Sequence, residues 1–293
     1  MNIKVYLKQR KELIDEYIKC VFPIHDEPEK IHEALWFSMF NGGKRVRPII
    51  MLAIADIAGV GLERVLSAAA GIEMIHSSTL ILDDLPSMDD ALLRRGKPAL
   101  HKVYGESTAI LTANILMLDG LKLITTDLIK LLEDKEQLLD INRDVFEEIG
   151  KKGVMLGQFL DLSSSGKKIS RKEIEDIHKR KTSSLFILSS KVAGLLSGLK
   201  RNEVSALLDY AEYFGMIFQI SDDLLAVEGS VSSTGKSSLR KDMSPNYAVT
   251  IGQKEAKKKI NDYTKKAISS VKIFKKDSEV LVELVKLLKG RSA

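Results

Sequence analysis

Apolar residues recur at helical spacing along almost the whole chain, and the strict alternation of a half-buried strand is nearly absent. Each helix of a globular protein needs an apolar stripe to bury against its neighbours, so the pattern predicts an all-α fold. Only six prolines occur, which is compatible with long helices. The predicted helices are 3–21, 29–40, 46–59, 62–84, 91–102, 106–132, 135–161, 170–198, 201–227, 247–271 and 277–289.

Nothing in the composition divides the chain, so we expect residues 1–293 to form a single domain with a large core. The longest non-periodic segment, Glu228 to Pro245, is rich in serine and glycine and lies too far inside the chain to be a linker. It is a candidate lid. The lone Cys20 excludes an internal disulfide framework. We find no signal peptide and predict no membrane span, which favours a cytoplasmic protein.

The formal net charge of +5 fits three kinds of partner: nucleic acid, anionic lipid or a small anionic ligand. Most of the excess lysine lies near the end of the chain, spaced as exposed faces of helices. The aromatic residues that single-strand binders interleave with their cations are missing there. The pattern therefore favours a solvated surface and predicts no nucleic acid partner.

Two acidic clusters stand far apart in the chain, each at the end of an apolar helical segment. The first contains Asp83, Asp84, Asp89 and Asp90, and the second is the pair Asp222-Asp223. Carboxylates beside apolar residues repel one another and are costly to desolvate unless a cation joins them. Hard oxygen ligands suit Mg²⁺, so we predict two walls of one cavity with divalent ions between them.

The spacing within the first cluster adds a detail. Asp83 and Asp90 are two helical turns apart, which would place them on one face of a helix. Pro86 should bend or interrupt that helix just after the first pair and turn the later carboxylates inward.

Basic motifs are interleaved with the acidic ones. Residues 42–48 read Gly-Gly-Lys-Arg-Val-Arg-Pro before an apolar helix, and residues 94–97 read Arg-Arg-Gly-Lys shortly after the first acidic cluster. Metal-binding acids beside arginine forks suit a metal-bound diphosphate better than a carboxylate or a nucleic acid backbone. Taken alone, the first basic motif could equally be a turn that caps a helix.

Together these motifs resemble those of the trans-isoprenyl diphosphate synthases, in the same order. The resemblance extends from about residue 41 to 247 and favours the bacterial and plant short-chain branch. The motifs that carry it are Gly42-Gly43-Lys44-Arg45-Val46-Arg47-Pro48, Asp83-Asp84-Leu85-Pro86-Ser87-Met88-Asp89, Arg94-Arg95-Gly96-Lys97-Pro98, Gly157-Gln158, Lys181-Thr182, Phe218-Gln219-Ile220-Ser221-Asp222-Asp223 and Gly235-Lys236.

The resemblance implies an isoprenoid-synthase helical bundle around a large central cavity. It also implies a prenyltransferase that condenses isopentenyl diphosphate head-to-tail with an allylic diphosphate through a carbocation. Up to three Mg²⁺ ions are expected, with Mn²⁺ as an alternative. The family usually forms homodimers, and the apolar Ile110 to Leu118 region is a candidate interface. The implied metal ligands are Asp83, Asp84, Asp89 and Asp222, with Asp223 orienting metal-bound water.

The remaining site residues divide between two diphosphates. For the allylic substrate the resemblance implies Arg94, Lys181 and Lys236, with Thr182 and Gln219 close to the cation. We count these five with the four metal ligands as catalytic. For isopentenyl diphosphate, which must not ionise, it implies side-chain cations away from the metal ions. Those cations are Lys44, Arg47 and Arg95, joined by His76, and Gly43 would let the backbone approach the phosphate oxygens.

Product length is expected to depend on residues just before the first aspartate pair. These are Ser78 and Thr79, with Ile75 further back as a residue that could close the tunnel. Relatives that make farnesyl diphosphate usually carry a bulky aromatic residue in the place of Ser78. The small serine therefore favours geranylgeranyl diphosphate as product, with farnesyl diphosphate as second choice.

Several departures from the family pattern, among them Leu82, Ala91-Leu92 and Asn114, keep an alternative open. Ala226 stands where the second acidic motif usually has its third aspartate. The alternative is a weakly active or non-catalytic subunit that modulates a catalytic partner. A terpene cyclase shares the metal and diphosphate chemistry, but it has no use for the second diphosphate site implied by Lys44, Arg47 and Arg95.

Overall fold

The computed structural model describes residues 2–22, 28–228 and 244–290. The all-α prediction is confirmed. The helices are α1 (Ile3–Val21), α2 (Glu29–Phe40), α3 (Val46–Ala58), α4 (Glu63–Asp83), α5 (Leu100–Tyr104), α6 (Glu106–Leu131), α7 (Lys135–Ile149), α8 (Val154–Ser163), α9 (Arg171–His178), α10 (Ser184–Leu196), α11 (Arg201–Glu228), α12 (Tyr247–Thr250), α13 (Gln253–Ser270) and α14 (Glu279–Gly290). A π-helical segment (Lys179–Ser183) joins α9 to α10, and a 3₁₀ segment (Val271–Ser278) joins α13 to α14.

Polar residues begin several of these helices. The Asn2 side chain accepts hydrogen bonds from two backbone N–H groups of α1, and Asp134 does the same for α7. Ser170 and Glu173 form a reciprocal capping box at the start of α9. Such caps satisfy backbone donors that have no partner inside the helix, which explains why these boundaries were predictable from sequence.

The predicted helix over 91–102 is wrong. A two-stranded hairpin, β1 (Leu93–Arg94) and β2 (Lys97–Pro98), occupies half of it and leads into α5. The turn residues Arg95 and Gly96 both have positive φ, 56° and 79°. Two such residues define the tight turn whose twist suits a hairpin. The helical interpretation gave too little weight to Gly96 and to Pro98.

Three other predicted helices are interrupted. Residues 135–161 form α7 and α8, separated by a turn between Gly150 and Gly153. Residues 170–198 contain the π-helical segment, and residues 247–271 are divided before Gly252, which has a φ of 101°. Periodicity alone does not register a one-residue insertion or a short turn inside a continuous apolar stripe.

Helices α4 and α6 pack along each other more extensively than any other described pair, and their backbones meet at two glycines. A Cβ on Gly71 would lie 2.6 Å from the carbonyl oxygen of Gly120, so neither position has room for a side chain. Both helices are long and apolar enough to cross a membrane, but two-thirds of the apolar window of α4 is buried inside the bundle. Tight packing at this crossing places the end of α4, with its aspartates, beside α3, α8 and α11.

Candidate active site

A central cavity of about 700 Å³ lies between α3, α4, α8, the π-helical segment and α11. It brings together most of the predicted site residues from across the chain. Those that line it are Gly43, Lys44, Arg47, His76, Thr79, Asp83, Asp89, Arg94, Arg95, Lys181, Thr182, Gln219 and Asp222. Both acidic clusters therefore contribute to one chamber.

Only one carboxylate of each aspartate pair lines the cavity. Asp83 and Asp89 face it from the end of α4 and the turn that follows, and Asp222 faces it from α11. Within the described residues no three acidic, histidine or cysteine side chains converge tightly enough to hold an ion by themselves. Mg²⁺ is commonly held by one or two carboxylates, with water and substrate phosphates completing the shell. The spread of carboxylates fits that mode of binding.

Asp84, the second member of the first pair, does not line this cavity. Its side chain is buried, and both carboxylate oxygens accept hydrogen bonds from the Arg94 guanidinium, with Nε 2.9 Å from Oδ2. Asp84 is predicted as a metal ligand, but its oxygens are engaged by a cation here, so the geometry favours Asp83 and Asp89 in that role. Asp84 instead orients Arg94 at the cavity wall.

Asp223, the second member of the other pair, is also turned into the protein. Its Oδ2 accepts from the backbone N–H of Tyr247 at 2.6 Å and lies 3.3 Å from Nε2 of His178. Its Oδ1 accepts from the Gln219 amide, which accepts in turn from the Thr182 hydroxyl at 2.7 Å. Burial raises the pKa of Asp223 to about 7. The carboxylate orients Gln219 directly and Thr182 through Gln219. The geometry favours this role over the predicted contact with metal-bound water.

The predicted relation between Asp83 and Asp90 is wrong. Helix α4 ends at Asp83, and Asp90 lies in the following turn with a positive φ of 48°. Its carboxylate points to Lys102, 3.6 Å away, and it does not line the cavity. Pro86 interrupts the helix as expected, but it brings Asp89 inward and Asp90 outward.

The glycine-rich loop before α3 is anchored by Arg45. This residue has a φ of 52° and a buried guanidinium that donates to Asp15 at 2.8 Å and to Glu73 at 2.9 Å. A third donation reaches the backbone carbonyl of Met39. These bonds tie the loop to α1, α2 and α4. Arg45 is thereby a structural cation of the cavity wall, and its neighbours Lys44 and Arg47 line the same cavity.

Arg95 is placed by the hairpin turn against the same loop. Its guanidinium donates to the carbonyl oxygen of Gly42 at 2.6 Å. A Cβ on Gly43 would lie 2.9 Å from the same guanidinium nitrogen. Only glycine lets the loop and the arginine approach this closely, which accounts for the second glycine of the motif.

Arg47 and His76 share the wall next to Arg95. Burial lowers the pKa of Arg47 to about 10, against the opposing charges of Glu73 and Asp222, so the side chain remains a cation at neutral pH. Its guanidinium stacks 4.2 Å from the centre of the Phe186 ring. Burial and the neighbouring Arg47 lower the pKa of His76, so its imidazole is neutral. His76 and Asp83 line one cavity from the same helix, as their spacing predicted.

Lys181 and Thr182 enter the cavity from the π-helical segment. Lys181 donates to Asp161 at 2.6 Å, and although burial disfavours its charge, Asp161, Asp83 and Asp89 outweigh that effect and raise its pKa. Gly157 of α8 lies directly against the segment, because a Cβ there would be 2.3 Å from the backbone nitrogen of Lys181. π-Helical insertions often mark functional sites, since the extra residue redirects side chains.

Besides Asp84, two predicted residues of the described part of the chain do not line the cavity wall. Ser78 and Ile75 are fully buried within the bundle, and Ile75 packs where a side chain on Gly120 would otherwise lie. Lys236 lies outside the described residues, as does most of the candidate lid. Of the residues expected to control product length, Thr79 alone lines the cavity in the described part of the chain.

The structure also adds residues that the sequence interpretation missed. Glu73 lies one turn before His76 and faces the same cavity. Gln158 reaches the cavity with an amide that has no hydrogen-bond partner among the described residues. Asp161, one turn after Gln158, holds Lys181. All three residues could have been predicted from helical spacing, because each lies on the same helix face as His76 or belongs to, or follows by one turn, the Gly157-Gln158 motif.

Comparison with known proteins identifies this arrangement. A family model described as Polyprenyl synthetase matches residues 28–285. The chain belongs to this family. The polyprenyl synthetase match covers most of the chain and every described residue that lines the cavity. The protein is therefore a prenyltransferase of the short-chain type.

Similar proteins of known name agree. The chain is 32% identical to the farnesyl diphosphate synthase of Bacillus subtilis over 98% of its length and 97% of that protein. It is 36% identical to the geranylgeranyl diphosphate synthase of Cyanophora paradoxa over 80% of this chain and 78% of that one. A geranyltransferase from Helicobacter pylori, solved with magnesium and isoprenyl diphosphate, superposes with a TM-score of 0.82 at 25% identity and covers 99% of this chain and 97% of its own.

Proposed function

We propose that the protein condenses isopentenyl diphosphate head-to-tail with an allylic diphosphate and releases geranylgeranyl diphosphate. The observation that carries this proposal is the convergence of Asp83, Asp89 and Asp222 on one cavity that also contains two groups of cations. One group lies on the acidic side and the other around the glycine-rich loop. Two diphosphates can then be held in one chamber and in different electrostatic surroundings.

The donor set fits divalent ions of the magnesium type. Asp83, Asp89 and Asp222 would hold them, since each offers carboxylate oxygens to the cavity. Bound ions supply Lewis-acid stabilisation of negative charge on a departing diphosphate. Ala226, at the position of the usual third aspartate, is exposed on α11, so that position offers no carboxylate to the site.

The allylic diphosphate is held on the acidic side by Arg94 and Lys181. Asp84 and Asp161 fix these two cations in place, and the neighbouring carboxylates keep Lys181 protonated. A fixed, partly desolvated positive charge stabilises the oxygens that become negative when the carbon–oxygen bond breaks. The Thr182 and Gln219 dipoles lie beside this position, where an allylic cation would develop.

Isopentenyl diphosphate is held on the other side by Lys44, Arg47 and Arg95, with the neutral His76 as a hydrogen-bond donor. Side-chain cations bind this diphosphate without the stronger polarisation that divalent ions provide, so it stays intact. The cavity wall between the two sides is partly apolar, and dry walls protect a carbocation from water. The released diphosphate serves as the base that removes the final proton, so no side chain is assigned that role.

Small side chains support the longer product. Thr79 lines the cavity and the neighbouring Ser78 is buried in the bundle, so neither position carries a bulky side chain that would block a growing tail. An aromatic residue at either position would shorten the space available below the allylic site. The same logic makes farnesyl diphosphate the product that a shallower cavity would give.

We also expect the protein to act as a homodimer. Three apolar residues of the candidate interface on α6 are exposed in the single chain: Ile110 by 41%, Leu111 by 59% and Leu118 by 66%. Exposed apolar side chains grouped on one helix are typical of surfaces that a partner covers. Light scattering coupled to size-exclusion chromatography tests this, with a monomeric mass as the contradicting result.

The proposed function is tested with the purified chain, Mg²⁺, isopentenyl diphosphate and, in separate reactions, geranyl or farnesyl diphosphate. We expect geranylgeranyl diphosphate by mass spectrometry from both primers and no product in the presence of a chelator. Accumulation of farnesyl diphosphate from the geranyl primer, with no elongation of farnesyl diphosphate, would replace the product assignment. No elongation by the chain alone, with activity restored by a homologous chain, would favour the modulating subunit.

A further inference from the structure

The positive charge of this protein is concentrated in its last three helical segments. Residues 253–290 contain eleven lysines and five acidic residues, a net charge of +6, whereas the whole chain carries +5. The catalytic part of the chain is therefore close to neutral. The excess is not explained by the diphosphate sites, because no residue after Asp222 lines the central cavity among the described residues.

Helix α13 presents this charge on one face. At 100° per residue, Lys254, Lys258 and Lys265 lie within about 40° of one another. All three are exposed, and the opposite face, with Ala256 and Ile260, is buried against the bundle. None of the three forms an ion pair within residues 2–22, 28–228 and 244–290.

Other lysines of the same helix are engaged differently. Lys259 pairs with Glu175 at 3.0 Å and lies over the Tyr263 ring, and Lys266 lies over the Tyr213 ring. The Tyr263 ring of α13 and the Tyr213 ring of α11 are thus contacted by lysines outside the line of Lys254, Lys258 and Lys265. The line of Lys254, Lys258 and Lys265 has no aromatic neighbour on its own helix face on which a nucleic acid base could stack.

The 3₁₀ segment that follows α13 directly adds further exposed lysines and an apolar residue. Lys272, Lys275 and Lys276 are exposed there, and Ile273 between them is 44% exposed. Lys275 has a φ of 54° and a ψ of −127°, a conformation that L-residues rarely adopt, which places a lysine pair at an exposed turn. An apolar side chain surrounded by lysines is typical of peptides that lie in a membrane interface.

We propose that this basic surface, Lys254, Lys258, Lys265 and Lys272 with Ile273, docks the protein on an anionic lipid bilayer. Lysines near such a surface attract it electrostatically, and Ile273 can enter the headgroup region. The choice of lipid over another polyanion rests on the proposed function, because a prenyl diphosphate is an amphiphile whose apolar tail partitions into a bilayer. A docked synthase releases its product beside the bilayer into which the prenyl tail partitions.

Flotation with vesicles tests the proposal. We expect the wild-type chain to float with phosphatidylcholine vesicles that contain phosphatidylglycerol, and not with phosphatidylcholine alone. The quadruple variant Lys254→Gln/Lys258→Gln/Lys265→Gln/Lys272→Gln should lower the partition coefficient by about 600-fold, since each lysine contributes about fivefold. Ile273→Ser should lower binding by less, and its effect should persist at high salt, where the screening length is short.

A matched control removes the same charge elsewhere. The variant Lys135→Gln/Lys151→Gln/Lys167→Gln/Lys200→Gln changes four exposed lysines outside the basic surface. It should retain vesicle binding, and both quadruple variants should retain prenyl transfer in detergent solution. Because vesicle binding is measured without substrates, loss of docking and loss of catalysis are separate results.

Three outcomes would overturn the proposal: no flotation of the wild type, equal loss in both quadruple variants, or equal binding to neutral vesicles. A complex with single-stranded DNA that depends on the same four lysines, without vesicle binding, would replace the lipid by nucleic acid.

Discussion

The close contact between Gly215 of α11 and the π-helical segment predicts that a single added methyl group at Gly215 will disturb the active site. A Cβ on Gly215 would lie 2.6 Å from the Cα of Ser183 and 2.5 Å from its Oγ. Carbon atoms in contact prefer about 3.5–4.0 Å, so Gly215→Ala requires the segment to retreat by about 1 Å. The backbone atom cannot rotate away as a side chain could. Thr182 and Lys181 precede Ser183 directly, and they move with it.

The expected cost falls mainly on catalysis. Overpacking of this kind costs about 1–3 kcal/mol, and about 1 kcal/mol is regained because alanine is the better helix former. The net loss of up to about 2 kcal/mol corresponds to a fall in Tm of up to about 8 °C for a chain of this size. A displacement of about 1 Å in a positioning group can lower turnover by about 100-fold. We therefore expect a folded protein with about 100-fold lower kcat and a raised KM for the allylic diphosphate.

The assay is steady-state kinetics with each substrate varied in turn, alongside thermal unfolding. Gly290→Ala is the matched control, because nothing lies within 4 Å of a Cβ there, and it should leave kcat unchanged. Adding Ser183→Gly to Gly215→Ala removes the Oγ and Cβ clashes but not the Cα clash, so it should recover activity in part. Normal kcat and KM in a folded Gly215→Ala protein would refute the idea that this contact positions Lys181.

Three further predictions concern the site itself. Asp83→Ala should lower kcat by about 1,000-fold or more, because it removes a carboxylate that would hold the divalent ions, and near-normal turnover in the same kinetic assay would contradict its role. Ser78→Phe should shorten the main product by filling space beside the tail, and an unchanged product mass would move the control of length elsewhere. Burial raises the pKa of Asp223 from 3.8 to about 7, so the folded state keeps a proton that the unfolded state has released. The metal-free protein should therefore lose stability, by up to about 4 kcal/mol, as pH rises from about 4 to about 7. Asp223→Asn should flatten that profile in urea unfolding, and a slope equal to that of the wild type would show that Asp223 is not its source.

Most of the residues that line the site could be predicted from the sequence. His76 and Asp83 share a cavity because both lie on α4, and a regular helix fixes the relative direction of residues seven positions apart. Predictions failed where regular structure ends. The prediction for Asp90 required α4 to continue beyond Asp83, where the helix ends. Arg95 lies in a hairpin turn that the apolar periodicity did not predict.

The sequence by itself determined the helical class, the main helix boundaries and the set of acids and bases, because periodicity, capping and residue chemistry act over a few neighbouring positions. Only the tertiary structure decided which member of each aspartate pair faces the cavity. Asp84 turns to Arg94 of the hairpin, and Asp223 turns to the backbone of Tyr247, 24 residues further along the chain. A buried carboxylate takes the direction of its nearest donors, and those donors are brought near it by the fold, not by its own helix.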